Sequence, residues 1–540
     1  MSGKMRLGLI LFGAGAILVV VFFALFDPNG ILRQAAQDGA APDSAAVITD
    51  PIDTAPLQEF LTQYNRHYQE MYRTRQVRRQ LLAQGKADID SSQILAATEI
   101  LLSYAGRHET IATWEAYHER PGLPDHLYRQ VGVARRLAGL RPEALAPRVR
   151  ASLGTPLSDA EDLPILFRQR NLAAQAAGYP SWLDLMADDQ SLTLDTWRGA
   201  LHRLAAADSP LYASVFQEVV RRIDPDRPDN GRNLVSSDLL GKGRPGSVDK
   251  ALAALGQPPR ESLPAWRHAL AFRKKLALPS LPASLTDSLP DPSPDGNPTV
   301  FSLDLDHAFS IQLPPALSGD AAARCTGLLA DSDIVLACAR SDLPPLLRGP
   351  PSRAMGRGLV HLYELAAHAA QDKPDPLEDL LRQAVAGPVL AIPLFAGAYL
   401  DWLDGVNRGV VPAPVIGTRF WEAAARHARL APPAGAGADP FLPAAAFGLD
   451  TAAVDPLDDV LGWAIAHQLH RYICTRLLES DVHTADYRGD PRVADFLESL
   501  LRTGAGVDWQ ILLMRATGED FDPQALVQYY QPLADHLASP

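Results

Sequence analysis

Residues Gly358–His368 read GLVHLYELAAH and lie in a stretch, 356–371, whose apolar residues recur at the spacing of one helical face. His361, Glu364 and His368 fall on one side of that helix. In the H-E-x-x-H arrangement of a zinc peptidase helix, two His at i and i+4 stand one turn apart and both reach the ion. The Glu beside the first His activates the metal-bound water. Here Tyr363-Glu364-Leu365-Ala366-Ala367 has the glutamate but neither histidine. His-Glu occurs only at His108-Glu109 and His118-Glu119, and neither is followed by His three residues after the Glu. The motif is therefore absent from the chain. His361 and His368 stand about 10.5 Å apart along the axis, too far for both to bind one ion at about 2.0–2.1 Å. Glu364 with His368 supplies two ligands, and no third is evident.

Outward from this helix, the periodicity stays helical. Leu57, Phe60, Leu61, Tyr64, Tyr68, Met71 and Tyr72 mark one buried face, and Ile94, Leu95, Ile100, Leu101 and Tyr104 a second. Similar stretches recur at 161–187, 194–222, 262–277, 377–404, 418–430, 456–480, 491–503 and 524–538. Only Thr299–Leu313 alternates with the period of a strand. Proline and glycine cluster at 278–298, 343–352 and 431–443, which predicts loops. The expectation is a mainly α domain over 56–540 with a small β element.

The formal net charge of −13 leaves no basic face for nucleic acid, and no long single-sign run appears. The cysteines are Cys325, Cys338 and Cys474; none forms a CxxC pair, which excludes a cysteine zinc knuckle. In an oxidising compartment Cys325 and Cys338 are candidates for a bridge; otherwise all three are small buried hydrophobes.

Leu7–Phe26 is an uncharged apolar run. Twenty residues at about 1.5 Å each span a bilayer core of about 30 Å. Lys4 and Arg6 precede the run and Asp27 follows it, so residues 1–6 are expected in the cytoplasm, 7–26 in the membrane, and the bulk in the periplasm or outside the cell. The run exceeds a usual h-region and no A-x-A site follows it, which favours an uncleaved signal anchor over a cleaved signal peptide. Residues 27–55, rich in Ala, Asp, Gly and Pro, read as a linker.

Two further patterns carry less weight. Gly241, Gly243 and Gly246 spell GxGxxG but lack the preceding buried strand of a dinucleotide loop. Asp304, Asp306 and His307 suggest a metal site, yet on a strand the two aspartates share one face and His307 takes the other, as at an exposed hairpin edge. No GxSxG nucleophile elbow is present.

Several patches, in order, resemble the angiotensin-converting-enzyme family of zinc dipeptidyl carboxypeptidases (peptidase family M2). Phe60-Leu61-Thr62-Gln63-Tyr64 looks like the family's first lid helix. Arg170-Asn171-Leu172-Ala173 with Ala177-Gly178-Tyr179 is similar to its R-N-x-x-A-x-x-x-G-Y element. Ala391-Ile392-Pro393-Leu394, Asp404-Gly405, Trp421-Glu422, Leu430 and Pro432-Pro433 follow in order. His470-Arg471-Tyr472-Ile473-Cys474 resembles H-E-A-L-C, and Thr517-Gly518 and Tyr530-Gln531-Pro532-Leu533 resemble the closing helices.

The resemblance implies a two-halved zincin-like (gluzincin) helical domain around a deep channel. It also implies that the chemistry is gone. The zinc histidine positions fall on Tyr363 and Ala367, leaving Glu364 as the sole remnant. The third ligand belongs to the following helix, where only Glu378 is available. Counting back from Cys474, the transition-state tyrosine falls on Asp459 and its neighbouring arginine on Asp458. The carboxylate-binding tyrosine falls on Pro456, the oxyanion histidine on Leu449 and the carboxylate-anchoring lysine on Phe447. The resemblance thus implies a membrane-anchored pseudopeptidase, with no cofactor and an unidentified peptide or protein partner. Two other readings stay open: an active metallopeptidase rearranged around Glu364, His368 and Glu378, and a structural subunit of an envelope complex.

Overall fold

The computed structural model describes residues 53–86, 89–117, 122–139, 162–223, 234–235, 255–256, 259–293, 298–317, 320–371, 374–432 and 454–539, all within one unit, Asp53–Pro540. The segments expected at 1–6 and 7–26, nearly all of the 27–55 linker, the Gly241/Gly243/Gly246 loop, Phe447 and Leu449 lie outside the described residues.

The fold is mainly helical. The elements that position the site are α1 (Ala55–Ala83), α2 (Asp125–Gly139), α3 (Leu194–Ile223), α4 (Ser262–Lys274), the strands β1 (Thr299–Ser302) and β2 (Phe309–Leu313), α5 (Ala321–Arg340), α6 (Arg353–Ala369), α7 (Pro376–Ala386) and α8 (Asp455–Tyr472). Side-chain caps begin three of these helices. Asp320 accepts from the amides of Ala322 and Ala323, Ser352 from Met355, and Asp375 from Glu378. Each cap satisfies donors that a helix start leaves unpaired.

One continuous core runs from Leu163 to Leu533 and takes in buried faces of α3, α5, α6, α7 and α8. A second cluster fills the space between α4, the strands and α5, with Trp266, Phe309, Ile311 and Leu329 at its centre. The predicted face of α1 is buried as expected: Leu57 and Leu61 pack on Leu127 and Val131 of α2.

α6 lies between α5 and α8. Its crossing with α8 is close because two glycines meet there. A Cβ on Gly462 would come within 2.6 Å of the Arg357 Cβ, and one on Gly358 within 2.8 Å of the Ile465 side chain. The run Pro376–Asn407 is long and apolar enough to cross a membrane, but 83% of its apolar window is buried inside the protein, as in a core helix.

Two sequence expectations are corrected, and of the two readings of the cysteines the buried, unbridged one holds. Thr299–Leu313 is a hairpin rather than one strand: β1 pairs antiparallel with β2, and β2 also pairs parallel with Asp291–Pro292. Asp304 sits in the turn, where its Oδ1 accepts from the amides of Asp306, His307 and Ala308, and Leu305 has φ 60°. Its carboxylate holds the turn and does not share a strand face with Asp306. Cys325 and Cys338 do not bridge; both lie buried on α5, about 20 Å apart along its axis.

Candidate functional site

The residues singled out in GLVHLYELAAH separate onto two sides of α6. Tyr363 and Ala367, one turn apart, are 1% and 6% exposed and face the packed interior. Arg353, Arg357, His361, Glu364 and His368 recur every three to four residues on a second face.

This second face is a ladder of charges. Arg353 contacts Asp458 at 3.0 Å and Asp189 at 3.2 Å. Arg357 contacts Asp459 at 3.1 Å. His361 Nδ1 meets Glu364 Oε2 at 2.9 Å, its Nε2 stands 3.8 Å from Asp459, and its ring stacks on Trp463 with centroids 4.9 Å apart. His368 contacts Asp320, the α5 cap, at 3.2 Å.

Burial alone would drive the His361 pKa down, but the neighbouring Asp459 and Glu364 carboxylates overcome it and push it up to about 9. His361 is thus an imidazolium at neutral pH, held between two carboxylates. Burial would raise Asp459, yet Arg357 and His361 hold it below the ordinary carboxylate range. Burial pushes Asp458 up to about 8 against the pull of Arg353. Asp459 therefore serves as an anionic partner of α6, and Pro456 is a first-turn proline of α8, where a missing N–H costs nothing.

On the other face lies a cluster that the sequence did not suggest. Arg273 of α4 and Asp333 of α5 form a two-pronged pair, Nε–Oδ2 and Nη2–Oδ1 both 2.5 Å, with each side chain 3% exposed. The Tyr363 hydroxyl donates to Asp333 Oδ2 at 3.0 Å, and Arg273 Nη2 also donates to the Pro279 carbonyl. Two residues back on α5, burial pushes Asp331 up to about 6, with the Arg357 charge pulling the other way.

The expected third-ligand glutamate does not join this helix. Glu378 of α7 is held by Arg222 of α3 at 2.8 Å and by Arg382 at 3.5 Å. Glu364, His368 and Glu378 thus answer to His361, Asp320 and Arg222 respectively. Among the described residues no three His, Cys, Asp or Glu side chains group where they could hold a metal ion. α6 packs chiefly on α5 and α8. The seam between α5 and α6 carries Asp331 and Asp333, faced by Arg357 and Arg273.

His470 and Cys474 of the HRYIC element are also interior groups. His470 bonds the Tyr487 hydroxyl and the Val482 carbonyl, each at 2.7 Å, and burial pushes the Cys474 thiol up to about 12. A thiol so disposed is no nucleophile.

The family model of the angiotensin-converting enzyme, peptidase family M2, matches residues 357–540, about a third of the chain, and the sequence carries no H-E-x-x-H motif. Comparison with curated proteins gives no match.

Proposed function

We propose that this protein is a pseudopeptidase: a dipeptidase-type scaffold that binds, scaffolds or regulates a peptide or protein partner without hydrolysing it. One observation carries the reading. At the α5–α6 seam, guanidinium and phenol groups satisfy the Asp333 carboxylate: Arg273 with a two-pronged pair and Tyr363 with its hydroxyl. The placement at Tyr363 and Ala367 leads to the same point, since neither side chain is a zinc ligand. Glu364, tied to a charged His361, has no polarised water to deprotonate.

In this reading Leu7–Phe26 holds the chain in a membrane with residues 1–6 cytoplasmic and the bulk periplasmic or extracellular. By the sequence resemblance, Phe447, Leu449, Pro456 and Asp459 replace the substrate and oxyanion groups, and Asp459 would repel a peptide C-terminus rather than hold it. Metal analysis of the full-length protein in detergent, alongside an assay for dipeptide release from peptide C-termini, tests the proposal. Less than a tenth of an equivalent of zinc with no release supports it. Stoichiometric zinc with release that Glu364→Gln abolishes overturns it.

A further inference from the structure

Between α1, the hairpin and α5 lies a cavity of about 220 Å³ that neither Glu364 nor His361 lines. Its walls are apolar where Phe301, Ile334 and Val335 line it, with Tyr72 of α1 across from them. Two charged groups of opposite sign open into it: Asp331 of α5 and Arg348 of the loop before α6.

Asp331 takes no hydrogen bond or ion pair; the nearby Arg357 spends its contacts on Asp459 and Asp455. Arg348 is anchored by donating from Nε to the Leu343 carbonyl at 2.7 Å and from Nη1 to the Leu305 carbonyl at 3.2 Å. Its guanidinium has five N–H donors, so these two bonds fix its position and leave others for a ligand. A half-buried carboxylate with no counter-charge in direct contact is only partly compensated, and a ligand cation would complete its pairing. Burial accordingly pushes the Asp331 carboxyl up to about 6.

A ligand for this cavity must carry a cation, an anion and an apolar body, and must be smaller than the drug-sized molecules that fill sites of about 300–1,000 Å³. We propose that the cavity binds a single free α-amino acid with an apolar side chain: the ammonium on Asp331, the carboxylate on Arg348, and the side chain against Phe301, Ile334 and Val335. The zwitterion satisfies both charged groups at once. A simple amine would leave its charge close to Arg348, and a simple carboxylate would face Asp331.

The site draws on α1, the hairpin and α5 together, so an occupant would tie the first long helix to the helix pair. The inference does not depend on whether the chain hydrolyses peptides.

Calorimetric titration and thermal shift of the full-length protein in detergent test this, using L-leucine and L-phenylalanine, with N-acetyl-L-leucine and L-leucinamide as controls. The expected result is saturable binding of the free amino acids with a raised Tm. Each blocked analogue, lacking one charge, should bind at least tenfold more weakly. Asp331→Asn should lower affinity at least tenfold while leaving the ligand-free Tm near wild type, because among the described residues Asp331 has no hydrogen bond or ion pair to lose. Arg348→Gln should also lose binding; its two carbonyl bonds make it the less secure variant, and Asp331→Asn decides the matter if it does not fold. The proposal is overturned if neither amino acid binds at millimolar concentration. It is equally overturned if the blocked analogues bind as well, or if Asp331→Asn binds like wild type.

Discussion

Replacing Arg273 by Met removes the cation from the most deeply buried ion pair of the seam. Both side chains are 3% exposed, so Asp333 would be left with the Tyr363 hydroxyl as its hydrogen-bond donor. Breaking a buried pair from one side costs about 3–5 kcal/mol, because a charge stays buried without its counter-charge. The unit Asp53–Pro540 spans about 490 residues. At about 2.1 cal/mol/K per residue its unfolding entropy is about 1 kcal/mol/K, so Tm should fall by about 3–5 °C. Asp333→Leu alone strands the guanidinium and should cost a similar amount. The double variant Arg273→Met/Asp333→Leu strands neither charge and should recover most of the loss, since apolar replacement of a buried pair is often near neutral. Thermal melts of the three variants by circular dichroism make the comparison. A drop of less than about 1 °C for Arg273→Met, or a double variant that loses the sum of the two singles, would refute the view that this pair closes the seam.

Other expectations follow from the same contacts. Tyr363→Phe keeps the shape but removes a donor to a carboxylate, which should cost about 1.5–3 kcal/mol in chemical denaturation. Gly462→Ala places a methyl against the α6 backbone and should destabilise by about 1–3 kcal/mol in spite of alanine's better helix propensity; no change in midpoint would mean that the crossing can widen freely. The His361 pKa is raised in the folded protein, so its contribution to stability is complete below the unfolded value near 6.5 and is lost as pH rises through about 9. Glu364→Gln removes one of the two carboxylates behind that shift and should flatten the stability profile between those pH values. Asp208 is fully buried with no hydrogen-bond partner for either oxygen, and burial holds its pKa well above the ordinary value. Its penalty is absent below about pH 4 and grows as pH rises from there toward the folded pKa, so Asp208→Asn should raise Tm at pH 7 but not at pH 4.

Much of the helical fold was legible because its helices have two faces. The α1 residues Leu57, Leu61 and Tyr64 repeat at helical spacing and are buried as that spacing predicts. α5 was invisible for the opposite reason. Ala323, Cys325, Leu329, Ser332 and Leu336 are buried around its whole circumference, so no stripe separates inside from outside. The site followed the same division. The His361–Glu364 contact lies one turn apart and shows in the local pattern, whereas Arg273 and Asp333 meet across sixty residues of chain. Asp331-Ser332-Asp333, a polar run within an apolar helix, was the signal available for the seam; its meaning required knowing that α5 packs on α6. Asp304 was misplaced because alternation continues through a tight turn when the turn's polar residue caps its own backbone.

The measurement that tests the central claim most directly is the zinc content of the full-length protein, purified without chelator and assayed in parallel for release of C-terminal dipeptides. The pseudopeptidase reading, with Tyr363 and Ala367 at the expected zinc positions, predicts zinc well below one per chain and no hydrolysis, with Glu364→Gln indistinguishable from wild type in this assay. One zinc per chain, together with dipeptide release that Glu364→Gln abolishes, would contradict it.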